Sequence, residues 1–210
     1  MLKPMLLALL FLVSGNALAE ARQEEFKEGM DYEAISPPQP TSDPSKIEVM
    51  EFFWYGCPHC LHFEPTLNAW VKKKPASVSF IRQPAIFNER WAAHAKAFFT
   101  ADVLGVEEKM HADFFDAIQN KKRSLESEDD LARFFAEHGV AEKDFHAAYK
   151  SFAVDARMRQ GEPLAAKYGV TGTPTMTIDG KYRISPGQAK SFDRMIVITE
   201  ALVSKEQARK

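Results

Sequence analysis

Cysteine is nearly absent: two residues in a chain of 210. Both lie in one decapeptide, "EFFWYGCPHC" (51–60), as Cys57 and Cys60. Two thiols cannot staple distant segments into a disulfide scaffold. They also leave a four-ligand cysteine metal site without its second pair. An excess of either charge sign is missing too. Lys and Arg total 27 against 29 Asp and Glu, a formal net charge of −2, which argues against a general nucleic-acid binder. Long apolar runs are lacking. The most continuous, "MLLALLFLV" (5–13), is far shorter than the roughly 20 residues a membrane helix needs. There is no internal repeat and no low-complexity tract. Hydrophobic residues are nevertheless 45% of the chain and include 16 Phe, enough to build a core without crosslinks.

The apolar run follows Lys3 and is followed by "ALA" at 17–19, the pattern of a cleaved export signal over residues 1–19. A mature chain beginning near Glu20 is therefore expected to be soluble outside the cytoplasm, where thiols become disulfides. A bridge across a four-residue ring removes little freedom from the unfolded chain and stabilises little. Such a bridge suits being made and broken.

Residues 20–45 carry "SPPQP" and "SDPS" and read as an extended lead-in, with one short strand near Tyr32–Ile35. "IEVMEFFW" (47–54) is nearly continuous in apolar, β-favouring residues, as expected of a strand covered on both faces. A helix opens at Cys57, with Pro58 at the first helical position, where a missing N–H does no harm. Pro65 should kink this helix. Lys72, Lys73 and Lys74 suit its C-terminal end, and Pro75 stops it. "VSFIRQPAI" (78–86) supplies a second strand, parallel to the first. From about Glu89 to Tyr168 apolar residues recur at helical spacing, in "RWAAHAKAFFTADVLG", "EEKMHADFFDAIQN", "SEDDLARFFAEHG", "EKDFHAAYKSF" and "VDARMRQGEPLAAKYG". Ser127 and Asp130 resemble a capping box. "TPTMTI" and "KYRI" flank Asp179-Gly180, a hairpin signal, and "QAKSFDRMIVITEALVSK" closes the chain as a helix. The reading is an α/β domain, strand–helix–strand then hairpin–helix, interrupted by a helical block.

Cys57 stands where a strand meets a helix N-terminus. Free N–H groups and the helix dipole there favour thiolate over thiol. Cys60, one turn further in, should be the more buried. Cys57 is thus the expected nucleophile and Cys60 its resolving partner. The imidazole of His59 can donate to the thiolate or place positive charge beside it. A stabilised thiolate stabilises the reduced form, so the bridge is expected to be given away. Competing readings are an inert local disulfide and a metal held by Cys57, His59, Cys60 and His62. The latter is short of ligands, since His94, His111, His138 and His146 are scattered singly along the helical block. A c-type haem requires His after the second Cys, and Leu61 is there.

"FWYGCPHC" after a buried strand, together with "VTGTPTMTIDGKYRI" (170–184), resembles the DsbA family of thioredoxin-fold disulfide oxidases. The helical block matches that family's inserted domain in place and size. The resemblance implies a thioredoxin-like fold over 20–87 and 169–210 with an inserted helical domain over 88–168. It implies a cis bond before Pro174, with the main chain of Thr173 pairing with an extended substrate strand. It also implies a periplasmic oxidase of reduced exported proteins, needing no metal or organic cofactor and reoxidised by a quinone-linked membrane partner of the DsbB type. Glu51 stands where thioredoxin-like proteins carry a buried acid. It is costly inside a covered strand unless partnered, Arg82 is its plausible counter-charge, and it can relay a proton to or from Cys60. Glu64 matches a neighbouring acidic position, or is a solvated helix residue. Phe53, Trp54, Phe63 and Met176 suit a substrate groove or the core. A disulfide isomerase or reductase of the same fold is the nearest alternative. Residues 20–45 are too few for the separate dimerisation domain of such isomerases, so a monomer is expected. A non-catalytic peptide-binding chaperone is the alternative of a different class.

Overall fold

The computed structural model describes residues 25–210. The expected export signal lies outside them. Five strands form one mixed sheet: β1 (Glu33–Ala34), β2 (Ile47–Phe53), β3 (Val78–Pro84), β4 (Thr175–Ile178) and β5 (Tyr182–Ile184), in the order β1-β5-β4-β2-β3. β2 and β3 run parallel from Ile47↔Val78 to Phe53↔Pro84, and the other neighbours are antiparallel. Every residue of β2 is buried, which explains its unbroken apolar reading. The side-chain period of two divides it. Ile47 and Val49 join a core with α1 (Pro58–Lys73) and α9 (Phe192–Gln207), while Met50 and Phe52 pack on the opposite face with Ala165, Tyr168 and Val170.

Between β3 and β4 the chain inserts α2 (Glu89–Val103), α3 (Glu107–Gln119), α4 (Glu128–Glu137), α5 (Glu142–Tyr149), α6 (Phe152–Gly161) and α7 (Leu164–Lys167). This is the thioredoxin-like α/β fold with a helical insertion. The insertion has a Phe-rich core of Phe98, Phe99, Phe114, Phe115, Phe134, Phe135 and Phe145, and Phe53, Tyr55, Cys57 and Cys60 belong to the same cluster. The redox motif is therefore packed by both parts of the fold.

Several boundaries differ from the sequence expectation for local reasons. α1 ends at Lys73, one residue before the expected Lys74, with Pro65 inside it. β3 ends at Pro84 rather than residue 86, and Ala85 donates instead to the Phe53 carbonyl at 2.9 Å. Ser151 accepts from the Val154 N–H and starts a new helix within "EKDFHAAYKSF". Pro163, without an N–H, separates α6 from α7. The closing helix is in two pieces, α8 (Pro186–Ala189) and α9, because Lys190 turns left-handed at φ 70° and Ser191 caps the second.

Candidate active site

β2 ends at Phe53, a tight turn follows, and Cys57 is the N-cap of α1 with Pro58 as the first helical residue. The Cys57 N–H donates to the Trp54 carbonyl at 2.9 Å, which closes the turn. Gly56 is required by packing rather than by its dihedral angles: a β-carbon there would overlap the Trp54 ring. Both cysteines are free thiols, Cys57 8% exposed and Cys60 fully buried.

Their environments push the two thiols apart. Cys57 is lowered from an ordinary 9.0 to about 5. The Cys60 thiol contributes most, followed by the Thr173 side chain and the main-chain N–H groups of Cys60 and His59, and together these outweigh burial. Cys60 is raised well above 9.0, by burial first, then by the Cys57 sulfur and by the nearby Glu51 carboxyl. His59 was expected to act through its imidazole. Its side chain is exposed, and the effect on Cys57 comes from its main-chain N–H.

The loop before β4 closes over the pair. The Thr173–Pro174 bond is cis, and the Cys57 thiol donates to the Thr173 carbonyl at 3.3 Å. That carbonyl accepts only from the protonated thiol and opposes the thiolate, but the donors around Cys57 outweigh it. Thr175 Oγ1 donates to the Gly172 carbonyl at 2.8 Å and fixes the loop's approach.

Below α1, on the same face of β2 as Val49, Glu51 is fully buried, and neither carboxyl oxygen has a hydrogen-bond partner. Arg82 Nε lies 3.9 Å from Glu51 Oε2 across the parallel register, Glu51↔Arg82. Burial, then the neighbouring Glu64, raise the Glu51 carboxyl well above 4.5, against the opposing pull of Arg82. Glu64 is not a solvated helix residue. It is buried, accepts from Asn68 at 2.8 Å, and lies 3.5 Å from Arg82 Nη2 and 3.3 Å from His111 Nε2. Burial works to raise its carboxyl, but His111, Arg82 and Asn68 prevail and lower it.

Three insertion residues that the sequence reading did not select complete the surroundings. Gln119, the last residue of α3, donates to both the Tyr55 and Cys57 carbonyls, at 2.9 and 2.8 Å. His111 Nδ1 meets the Tyr55 hydroxyl at 2.9 Å. His94 Nδ1 accepts from the Trp54 indole at 3.0 Å. Two of the four histidines that look scattered along the sequence thus converge on one loop. Phe53, Phe63 and Met176 are buried in the core, so of the four apolar groove candidates only Trp54 keeps partial exposure. Among the described residues, no group of three or more His, Cys, Asp or Glu side chains is placed to hold a metal ion.

Comparison with known proteins shows the family. The model of the DsbA-like thioredoxin domain matches residues 78–195. The chain belongs to the DsbA family. The family match begins at Val78, beyond the cysteines, so it is independent of the "CPHC" motif. A thiol:disulfide interchange protein DsbA of Pseudomonas syringae pv. tomato is 45% identical over 185 residues, covering 88% of this chain and 86% of its own. The crystal structure of Pseudomonas aeruginosa DsbA superposes with a TM-score of 0.84 at 41% identity, over 88% of this chain and 96% of that one. The oxidoreductase DsbA from Xylella fastidiosa gives 0.81 at 36%, over 87% and 98%. The chain thus matches these family members along nearly their whole length.

Proposed function

We propose that this protein is a monomeric disulfide oxidase that donates its Cys57–Cys60 disulfide to newly exported proteins in the periplasm. The observation that carries the reading is the split between the two thiols, with Cys57 at about 5 and Cys60 pushed up. A low thiolate pKa stabilises the reduced enzyme and makes Cys57 the better leaving group, so electrons flow from substrate to enzyme.

In the oxidised enzyme a substrate thiolate attacks Cys57 Sγ. The Sγ–Sγ bond breaks, and Cys60 leaves as a thiolate and takes a proton. Glu51, kept protonated by burial, is the donor and is reprotonated from solvent. The substrate's second thiolate then attacks the substrate sulfur of the mixed disulfide, and Cys57 departs as a stabilised thiolate. Two electrons have passed from substrate dithiol to enzyme, with one proton on Cys60 and one released. The cis-proline loop receives the substrate, whose extended chain pairs with the main chain of Thr173 and holds its cysteine against Cys57. The cycle requires a membrane reoxidase of the DsbB type that passes the electrons to quinone. Residues 1–19 serve as the cleaved signal, 20–87 with 169–210 as the catalytic domain, and 88–168 as its helical cover.

The test is oxidation of a reduced, unfolded disulfide protein, followed by equilibration with glutathione. The oxidised enzyme should restore the test protein's disulfides stoichiometrically, and Cys57→Ser should abolish this. A bridge as hard to reduce as that of thioredoxin would overturn the oxidase reading in favour of a reductase. Full activity in Cys57→Ser would point to a chaperone.

A further inference from the structure

Trp54 touches both halves of the redox pair through its main chain. Its carbonyl accepts the Cys57 N–H at 2.9 Å, and its main-chain N–H favours the Cys60 thiolate against the effect of burial. Its side chain points the other way, into the helical insertion. There the indole stacks on Trp91 of α2, with ring centroids 4.3 Å apart and planes 9° apart, and Nε1 donates to His94 Nδ1 at 3.0 Å. His94 Nε2 lies 2.8 Å from the Ser124 carbonyl.

These two contacts settle the state of His94. An indole N–H only donates, so Nδ1 carries the lone pair. A carbonyl only accepts, so Nε2 carries the hydrogen. The alternative tautomer would set N–H against N–H and lone pair against lone pair. The imidazolium would set N–H against N–H at Trp54. The ring is 1% exposed, so neither mismatch can be relieved by water. The charged groups that act on it are Arg90 and Glu126, paired with each other at 3.0 Å. Burial holds the imidazole below its ordinary 6.5, in the neutral form that the geometry requires.

We propose that His94 is a positioning residue for the redox centre. As the neutral Nε2–H tautomer it anchors the Trp54 side chain, and Trp54 in turn holds the main-chain groups that face Cys57 and Cys60. The role rests on the thiol–disulfide reading above. Its chain of contact runs from the Ser124 carbonyl through imidazole and indole to the turn at Gly56, where the Trp54 ring leaves no room for a β-carbon. Loss of the anchor frees the turn. The donors at the helix start then align less well on Cys57, and the reduced form loses part of its stabilisation.

Two measurements test this. In the reduced wild type, nitrogen NMR of the imidazole should show protonated Nε2 and unprotonated Nδ1 at neutral pH. A protonated Nδ1 overturns the proposal without any variant having to fold. The second is the pair His94→Phe and Trp54→Phe with their double variant, read by the Cys57 thiolate absorbance against pH and by equilibration with glutathione. His94→Phe should raise the Cys57 midpoint and shift the glutathione equilibrium towards the enzyme disulfide about fivefold, the worth of one hydrogen bond. The double variant should be no worse than His94→Phe, because both partners of the bond are gone. Phe145→Leu, in the insertion core, where the ring packs on Phe135, His146 and Tyr149 and on no ring of the redox loop, should lower stability and leave both readings unchanged. A wild-type titration and equilibrium in His94→Phe, or additive effects in the double variant, overturns the proposal. Failure of the wild type to oxidise a reduced protein would instead remove the oxidase reading, a distinct outcome.

Discussion

At the scale of single residues the site separates like groups by environment. Cys57 loses its proton far more easily in the fold, at about 5, than at its ordinary 9.0. A depressed acid stabilises the fold above its unfolded value, and that stabilisation is lost as pH falls through the folded one. Urea unfolding of the reduced protein against Cys57→Ser should therefore show an advantage that is absent below about pH 5 and grows towards pH 9. Equal pH profiles would mean that the helix start does not hold a thiolate. Glu51 has the opposite sign. Burial raises its carboxyl, so the unfolded chain ionises first and the fold loses stability as pH rises past 4.5. Glu51→Gln removes that penalty. It should stabilise the protein by about 1–3 kcal/mol at neutral pH and by little at pH 4, with Arg82 still held by Asn68 and Glu64. It should also slow the first exchange step under single turnover, because the departing Cys60 thiolate loses its proton donor. A Glu51→Gln variant that is faster, or less stable at neutral pH, would contradict the role assigned to the carboxyl.

At the scale of elements the β4–β5 hairpin tests how much a turn depends on its glycine. Asp179 and Gly180 are both left-handed, at φ 51° and 64°, and Gln39 packs its main chain onto Gly180 while donating to the Gly180 carbonyl at 2.8 Å. Gly180→Ala meets both a strained backbone and the Gln39 carbonyl, and should cost about 2–4 kcal/mol in urea unfolding. Gly139, which ends α4 at φ 86° with open space around it, should cost only about 1 kcal/mol as Ala. Equal costs would show that the Gln39 contact yields freely. The Asp179-Gly180 signal was legible in the sequence because a two-residue turn is local, and so was the strand–Cys–helix junction. β2 was legible for another reason: a strand covered on both faces needs no alternating pattern. The break at Lys190 was not legible. A lysine carries no left-handed signal, and its conformation is set by how α8 and α9 pack. Gln119, His94 and His111 were equally hidden. Each lies 40 to 64 residues from its partner in the redox loop, and that pairing is decided by the folding of the insertion onto the sheet.

At the scale of the whole molecule these same contacts make the insertion part of the site. His94 from α2 holds Trp54, while His111 and Gln119 from α3 hold Tyr55 and the Tyr55 and Cys57 carbonyls. Every tie reaches the turn between β2 and α1, and the aromatic core around Phe53 and Tyr55 continues into Phe98, Phe114 and Phe115 without a break. A helical unit that packed on the sheet through a polar, separable interface would unfold on its own. This one shares its core with the sheet, so the two should unfold together. The tryptophans permit the measurement. Trp54 and Trp91 stack at the junction, whereas Trp70 lies in the core between α1 and the sheet. Replacing Trp70 by Phe leaves fluorescence that reports the junction. Replacing Trp54 and Trp91 by Phe leaves a reporter of the sheet. Each variant should give a fluorescence transition that coincides with its own far-ultraviolet circular dichroism in urea. A junction signal lost at lower urea than the circular dichroism would instead describe a hinged cover that opens before the catalytic domain unfolds. Gln119→Leu should cost the shared transition about 1–2 kcal/mol and move it to lower urea without splitting it, because the Tyr55 carbonyl loses its donor and the Cys57 carbonyl keeps only the Leu61 N–H.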